Sequence, residues 1–168
     1  ANRIANGTYT IGSEVYNLPQ NNNGQTLHGG LKGLDMVVWD VKEVTESSIV
    51  LFYLRPDGQD GMPGNRSITM TYTLTPENEF KVDYFATTDK TTHVNISHHS
   101  FFNLKGEGNG TIEDHILTIK ADKITPTDAG LIPTGELLAV DGTPFDFREP
   151  HAIGERIGAD DVQLKNGG

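Results

Sequence analysis

Histidine is the residue in this sequence best suited to moving protons near neutral pH, and three of its six copies fall between His93 and His99. The stretch His93-Val94-Asn95-Ile96-Ser97-His98-His99-Ser100-Phe101-Phe102-Asn103-Leu104 is expected to be a strand, whose side chains alternate between two faces. One face would carry Val94, Ile96 and His98, and the other Asn95, Ser97, His99 and Phe101. Hydrogen-bonding groups, an imidazole and an aromatic ring in one row make a floor for a small polar ligand. With an unperturbed pKa of about 6.5, the His99 imidazole can give or take a proton there. His98 points the other way and reads as a structural histidine. Because neighbours on a strand diverge, His98-His99 is not read as a metal site.

Two further segments could recognise a ligand. His28 stands in Leu27-His28-Gly29-Gly30, where paired glycines admit backbone conformations closed to other residues and let a ligand approach closely. From spacing alone it is no more than a surface histidine. Asn2 and Arg3 offer an amide and a planar donor fork, suited to hydroxyl groups; the plain alternative is a surface arginine. Other motifs fail. Gly106-x-Gly108-x-Gly110 lacks a strand-to-helix setting, and there is no Gly-x-Ser-x-Gly elbow. Asp57, Asp60 and Asn65 do not have calcium-loop spacing and read as turn residues. Asp160-Asp161 reads as solvated loop charge.

The elements that must hold these residues are β-strands. Gly7–Leu18 holds two short β-rich runs around Gly12-Ser13, a two-residue turn with Gly first that suits a tight hairpin, and apolar runs predict strands over Met36–Val44, Ser48–Leu54, Ser67–Leu74 and Phe80–Tyr84. More are expected at His115–Ile119, Glu136–Val140 and Thr143–Phe147, and only Pro150–Ile157 has a helix-like opening. The expectation is an all-β sandwich or barrel, one domain over residues 1–168, and a part of a larger sandwich. The formal charge of −10 disfavours nucleic acid and anionic membranes as partners. With no cysteine, disulfides and thiolate metal sites are excluded. No apolar run is long enough to span a bilayer as a helix, and no signal-like segment opens the chain. The expected compartment is the cytoplasm, or the periplasm if a leader was removed.

As a set, the motifs resemble the aldose 1-epimerase (galactose mutarotase) family. The carriers are Ala1-Asn2-Arg3-Ile4, Leu27-His28-Gly29-Gly30 followed by Gly33-Leu34-Asp35 and Trp39, and Asp57-Gly58 through Gly61-Met62-Pro63-Gly64-Asn65. His98-His99-Ser100-Phe101-Phe102-Asn103-Leu104, Ile132-Pro133-Thr134-Gly135 and Thr143-Pro144-Phe145-Asp146-Phe147 follow in the family's order. The resemblance implies a large β-sandwich of the galactose mutarotase-like supersandwich kind. It also implies interconversion of the α- and β-anomers of a free hexose, without cofactor or metal, by a monomer or homodimer. It makes His99 the general acid on the ring oxygen and His28 a contact near the anomeric centre. Asn2 and Arg3 become sugar-binding residues; Phe101, from its place in the polar row with His99, is expected to bind the substrate as well. Two departures stand out. His98 occupies a position where the family usually has Asn. The family's general base is a glutamate near the end of a chain about twice this long, and no segment here matches it. The chain is therefore expected to be the central portion of such an enzyme, without the base. The alternative is a carbohydrate-binding sandwich that does no catalysis.

Overall fold

The computed structural model describes residues 2–167, so Ala1 and Gly168, the two ends of the expected single domain, lie outside the described residues. It contains two compact units, Ala1–His98 and His99–Gly168.

In the first unit, β1 (Arg3–Ile4) pairs antiparallel with β4 (Thr26–Leu27), and β2 (Thr8–Ile11) forms a hairpin with β3 (Glu14–Asn17). The largest element is an antiparallel meander of β5 (Asp40–Val44), β6 (Ser48–Arg55), β7 (Arg66–Leu74) and β8 (Phe80–Thr88). Its order follows from the sequence. Ile68 and Met70 are buried on one face of β7, with Thr69 between them and Ser67 and Thr71 on either side less so, as period-two alternation requires. The same inward row begins with a charge, because Arg66 is also buried, and it stands directly opposite Arg55 of β6. The outer strand β5 carries Asp40, Lys42 and Glu43 and a register shift between Val41 and Glu43, both of which discourage further pairing at that edge. The strand expected from Met36 is shorter than that. The Met36 amide instead closes a turn on the Gly33 carbonyl (2.9 Å), and the Trp39 indole N–H is spent on the Leu34 carbonyl (3.0 Å).

The second unit has two short antiparallel pairs, β9 (Ile116–Leu117) with β12 (His151–Ala152) and β10 (Lys123–Ile124) with β11 (Leu138–Ala139). The strands expected over His115–Ile119 and Glu136–Val140 thus shrink to two residues each. Thr143–Phe147 is not a strand. Its backbone is folded into a turn, with the Thr143 hydroxyl donating to the Val140 carbonyl and the Phe145 amide donating back to that hydroxyl. Nor is Pro150–Ile157 an α-helix. The Ile153 and Gly154 amides donate to the carbonyls of His115 and Glu113, so a 3₁₀ turn replaces the helix. The α-helix that does form, α1 (Val162–Asn166), was not expected. Asp161 makes it: its carboxylate accepts from the Gln163 and Leu164 amides as an N-cap, so it is not simply a solvated charge.

The His93–Leu104 stretch also departs from expectation, since residues 91–103 carry no strand ladder. Alternation can be read along one chain, but a strand exists only through pairing. The alternation of exposure persists all the same. Ile96 and His98 are half-buried, while Asn95, Ser97, His99 and Phe101 are exposed; Val94 breaks the pattern by being exposed as well.

Candidate functional site

The first unit brings Asn2, Arg3 and His28 together. The register of β1 on β4 sets Arg3 opposite Leu27, so the residues just outside the pair, Asn2 and His28, meet as well. The His28 amide donates to the Asn2 carbonyl at 3.1 Å. Both residues adopt left-handed backbone, with φ of 61° at Asn2 and 51° at His28. A non-glycine residue held so costs about 1–2 kcal/mol, so neighbouring contacts must enforce it. Asn2 and His28 are exposed, and Arg3 is half-buried with its Nε donating to the Asn22 side-chain oxygen at 3.1 Å. Asn22, in the polar loop before β4, is a participant that motif reading missed.

The His28 loop is held from two sides. On one side the Asn21 side chain accepts from the Leu27 amide (2.8 Å) and donates to the Leu27 and Gly30 carbonyls (both 3.1 Å). On the other lies a buried ion pair, Arg55–Asp60, at 2.7 Å, whose side chains are 4% and 6% exposed. Arg55 also donates to the Gly29 carbonyl at 2.9 Å. Asp60 accepts from the Leu31 and Lys32 amides at 3.1 and 3.3 Å. This extends the reading of two groups. Asp60 lies in a 3₁₀ turn, as read, and is a tertiary anchor as well. Gly29 and Gly30, with φ near +90°, lie hard against the ion pair: a Cβ on Gly30 would stand 3.0 Å from the Asp60 Cβ, and one on Gly29 3.4 Å from an Arg55 nitrogen. A signal for the pair existed in the sequence, since Arg55 and Arg66 end and begin two apolar strands flanking an acidic loop. Burial depresses the Arg66 pKa, and the Arg55 charge opposite works in the same direction.

The outer end of that loop is pinned where β8 finishes. Asp57 accepts from the Lys90 ammonium (2.5 Å) and the Gly64 amide (2.6 Å), which together hold its carboxyl below the usual range. Asn65 donates twice to Asp89. Among the described residues there is no group of three His, Cys, Asp or Glu arranged to hold a metal ion. Beyond β8, the His93 ring packs edge-on against Tyr9 (4.7 Å between centroids), and the His98 ring lies edge-on to both Tyr72 and Phe80 (5.7 Å each). His98 is thus a packing histidine, as its face predicted.

In the second unit, His99 and Phe101 are neighbours, with ring centroids 5.2 Å apart and planes tilted by 60°. Phe101 is 90% exposed, a ring surface open to a flat apolar partner. Nearby, the Leu104 amide lies 2.9 Å from the His115 Nε2, which acts as its acceptor. Further along, Arg148 forks onto Asp146 through two nitrogens (2.8 and 2.6 Å) and reaches Asp141 at 2.8 Å. The guanidinium holds the Asp146 carboxyl down to about 2 from its ordinary 3.8. A depressed carboxyl stabilises the folded state above its unfolded pKa and stops doing so as pH falls through the folded value. Acid titration followed by carboxyl-carbon NMR should therefore show Asp146 protonating near pH 2, with the Arg148 contribution to stability lost between about pH 4 and pH 2.

A family model described as aldose 1-epimerase matches residues 1–167. The chain is 44% identical over 157 residues to a galactose mutarotase of Mus musculus, an alignment covering 94% of this chain and 45% of that protein. It is 39% identical over 165 residues to an aldose 1-epimerase of Escherichia coli (strain K12), covering 98% of this chain and 47% of the other. The crystal structure of galactose 1-epimerase from Lactobacillus acidophilus NCFM superposes with a TM-score of 0.89 at 34% identity, covering 99% of this chain and 49% of that one. The chain spans about half the length of the curated relatives it matches. The all-β class expected from strand patterning holds, and the architecture is that of these epimerases.

Proposed function

The chain belongs to the aldose 1-epimerase family, and from that premise we propose that the intact protein interconverts the α- and β-anomers of a free hexose such as galactose or glucose. The observation that carries the reading is the β1–β4 register, which holds Asn2, Arg3 and His28 side by side. Those are the positions that, by resemblance, grip hydroxyls and the anomeric centre.

His99, as the imidazolium, donates its proton to the ring oxygen while a base takes the proton of the C1 hydroxyl. The C1–O5 bond breaks, and C1 becomes an aldehyde carbon. Rotation about C1–C2 offers the other carbonyl face to the C5 hydroxyl. Reclosure then returns a proton to the C1 oxygen and one to the imidazole, so nothing is consumed. No glutamate of this chain is given the base's role. Arg3 would bind hydroxyl oxygens through its guanidinium donors, Asn2 through its amide, and Phe101 would take the apolar face of the pyranose. The reading requires no cofactor or metal. We further propose a cytoplasmic monomer or homodimer that binds neither nucleic acid nor membrane. The charge of −10 supports the first exclusion. Among the described residues no helix is long and apolar enough to cross a membrane.

Polarimetry on freshly dissolved α-galactose or α-glucose tests the proposal. The intact protein should bring either sugar to its anomeric equilibrium faster than buffer alone, in proportion to protein concentration. Equilibration at the buffer rate would overturn it.

A further inference from the structure

The frame beneath the His28 loop is more elaborate than a turn needs. A buried carboxylate and guanidinium are costly to desolvate, and they persist only with compensating bonds. Here those bonds converge on one loop. Arg55 takes the Gly29 carbonyl, Asp60 takes the Leu31 and Lys32 amides, and Asn21 takes Leu27 and Gly30 from the opposite side. Every residue from Leu27 to Lys32 except His28 itself is thus tied by one of three side chains. His28, at the centre, is held by its own amide to Asn2 and in a left-handed conformation it would not choose alone. A second buried arginine, Arg66, faces Arg55 across the ladder, and like charges directly opposite repel. Asp60 therefore sits where two buried cations need an anion, which pins it as well as the loop.

We infer that Asn21, Arg55 and Asp60 are positioning residues that aim the His28 imidazole. The inference rests on the function proposed above only for its kinetic consequence; the placement of His28 is tested separately. Asp60→Asn keeps the acceptor for the two loop amides and the volume, but removes the charge that holds Arg55. Asn21→Ala, at an exposed position, loosens the other side without touching a buried charge.

Both variants of the intact protein are compared by thermal melting, by mutarotation kinetics and by NMR of the histidine imidazoles. The His28 signal is identified by its absence in His28→Gln. In each variant that signal should move while the His115 and His151 signals stay. The ratio kcat/KM should fall about 10- to 100-fold, with a rise in KM that mere loss of folded protein cannot produce. A His28 signal that stays in place in both variants overturns the inference, as does kcat/KM within twofold of the unsubstituted protein. If the unsubstituted protein itself does not speed mutarotation, the proposed function fails, and the His28 signal still decides the positioning claim.

Discussion

Replacing His99 by Ala in the intact protein is expected to reduce mutarotation by about 10²–10⁴-fold, the usual worth of a positioned general acid. His99 is exposed, and the ring contact described for it is with Phe101, itself 90% exposed. Surface substitutions away from buried features typically shift stability by no more than about 0.5 kcal/mol. The melting temperature of His99→Ala should therefore stay close to that of the unsubstituted protein while activity collapses. His99→Gln adds a control: glutamine still donates a hydrogen bond but cannot deliver a proton, so it should be nearly as inactive as alanine. The neighbouring change His98→Ala makes a useful contrast. It removes a ring packed edge-on against Tyr72 and Phe80 and should lower stability more than turnover. A His99→Ala variant retaining turnover within threefold would show that some other group protonates the ring oxygen.

The largest expected effect on stability comes from Gly61→Ala. A Cβ at Gly61 would lie 2.1 Å from the Asn17 carbonyl oxygen and 3.1 Å from its carbon, far inside contact distance. The obstacle is backbone at the end of β3, which cannot rotate away as a side-chain tip could. Gly61 also has φ of +77°, a conformation that a side chain resists on its own account. Overpacking at about 1–3 kcal/mol and left-handed strain at about 1–2 kcal/mol together suggest a loss of about 2–5 kcal/mol. Gly58→Ala separates the two contributions. Gly58 has nearly the same φ, +79°, and nothing within 4 Å of its would-be Cβ, so it should show only the strain. Urea denaturation of both variants reads the difference directly. Equal midpoints would mean that the loop slides off β3 at little cost.

The segment from Ser48 to Thr88 shows what the sequence carries unaided. Over Ser67–Leu74 and Phe80–Tyr84, apolar residues at every second position specify which face of each strand turns inward, while Ser48–Leu54 reads as a strand from a continuous apolar run. Antiparallel neighbours then follow from short connections. The hairpin around Gly12-Ser13 was legible too, from a two-residue turn with Gly first between two short β-rich runs. So was the difference in exposure between His98, half-buried, and His99, exposed, because alternation along an extended chain is a property of the chain itself. The motif order identified the family. All these are local signals, decided by residues close together in sequence.

What only the tertiary structure decided involves partners far apart. Arg55 meets Gly29, and Asp60 meets Leu31, across separations of 26 and 29 residues, so no local pattern could reveal that the two glycines make room for an ion pair. The His93–Leu104 stretch kept its alternation and lost its ladder, since pairing needs a second strand that its own residues cannot specify. Thr143–Phe147 and Pro150–Ile157 lost their expected forms when hydroxyls and distant carbonyls claimed their amides first. A backbone amide makes its bond wherever an acceptor is presented, and which acceptor arrives is settled by the assembled fold rather than by its neighbours in the chain.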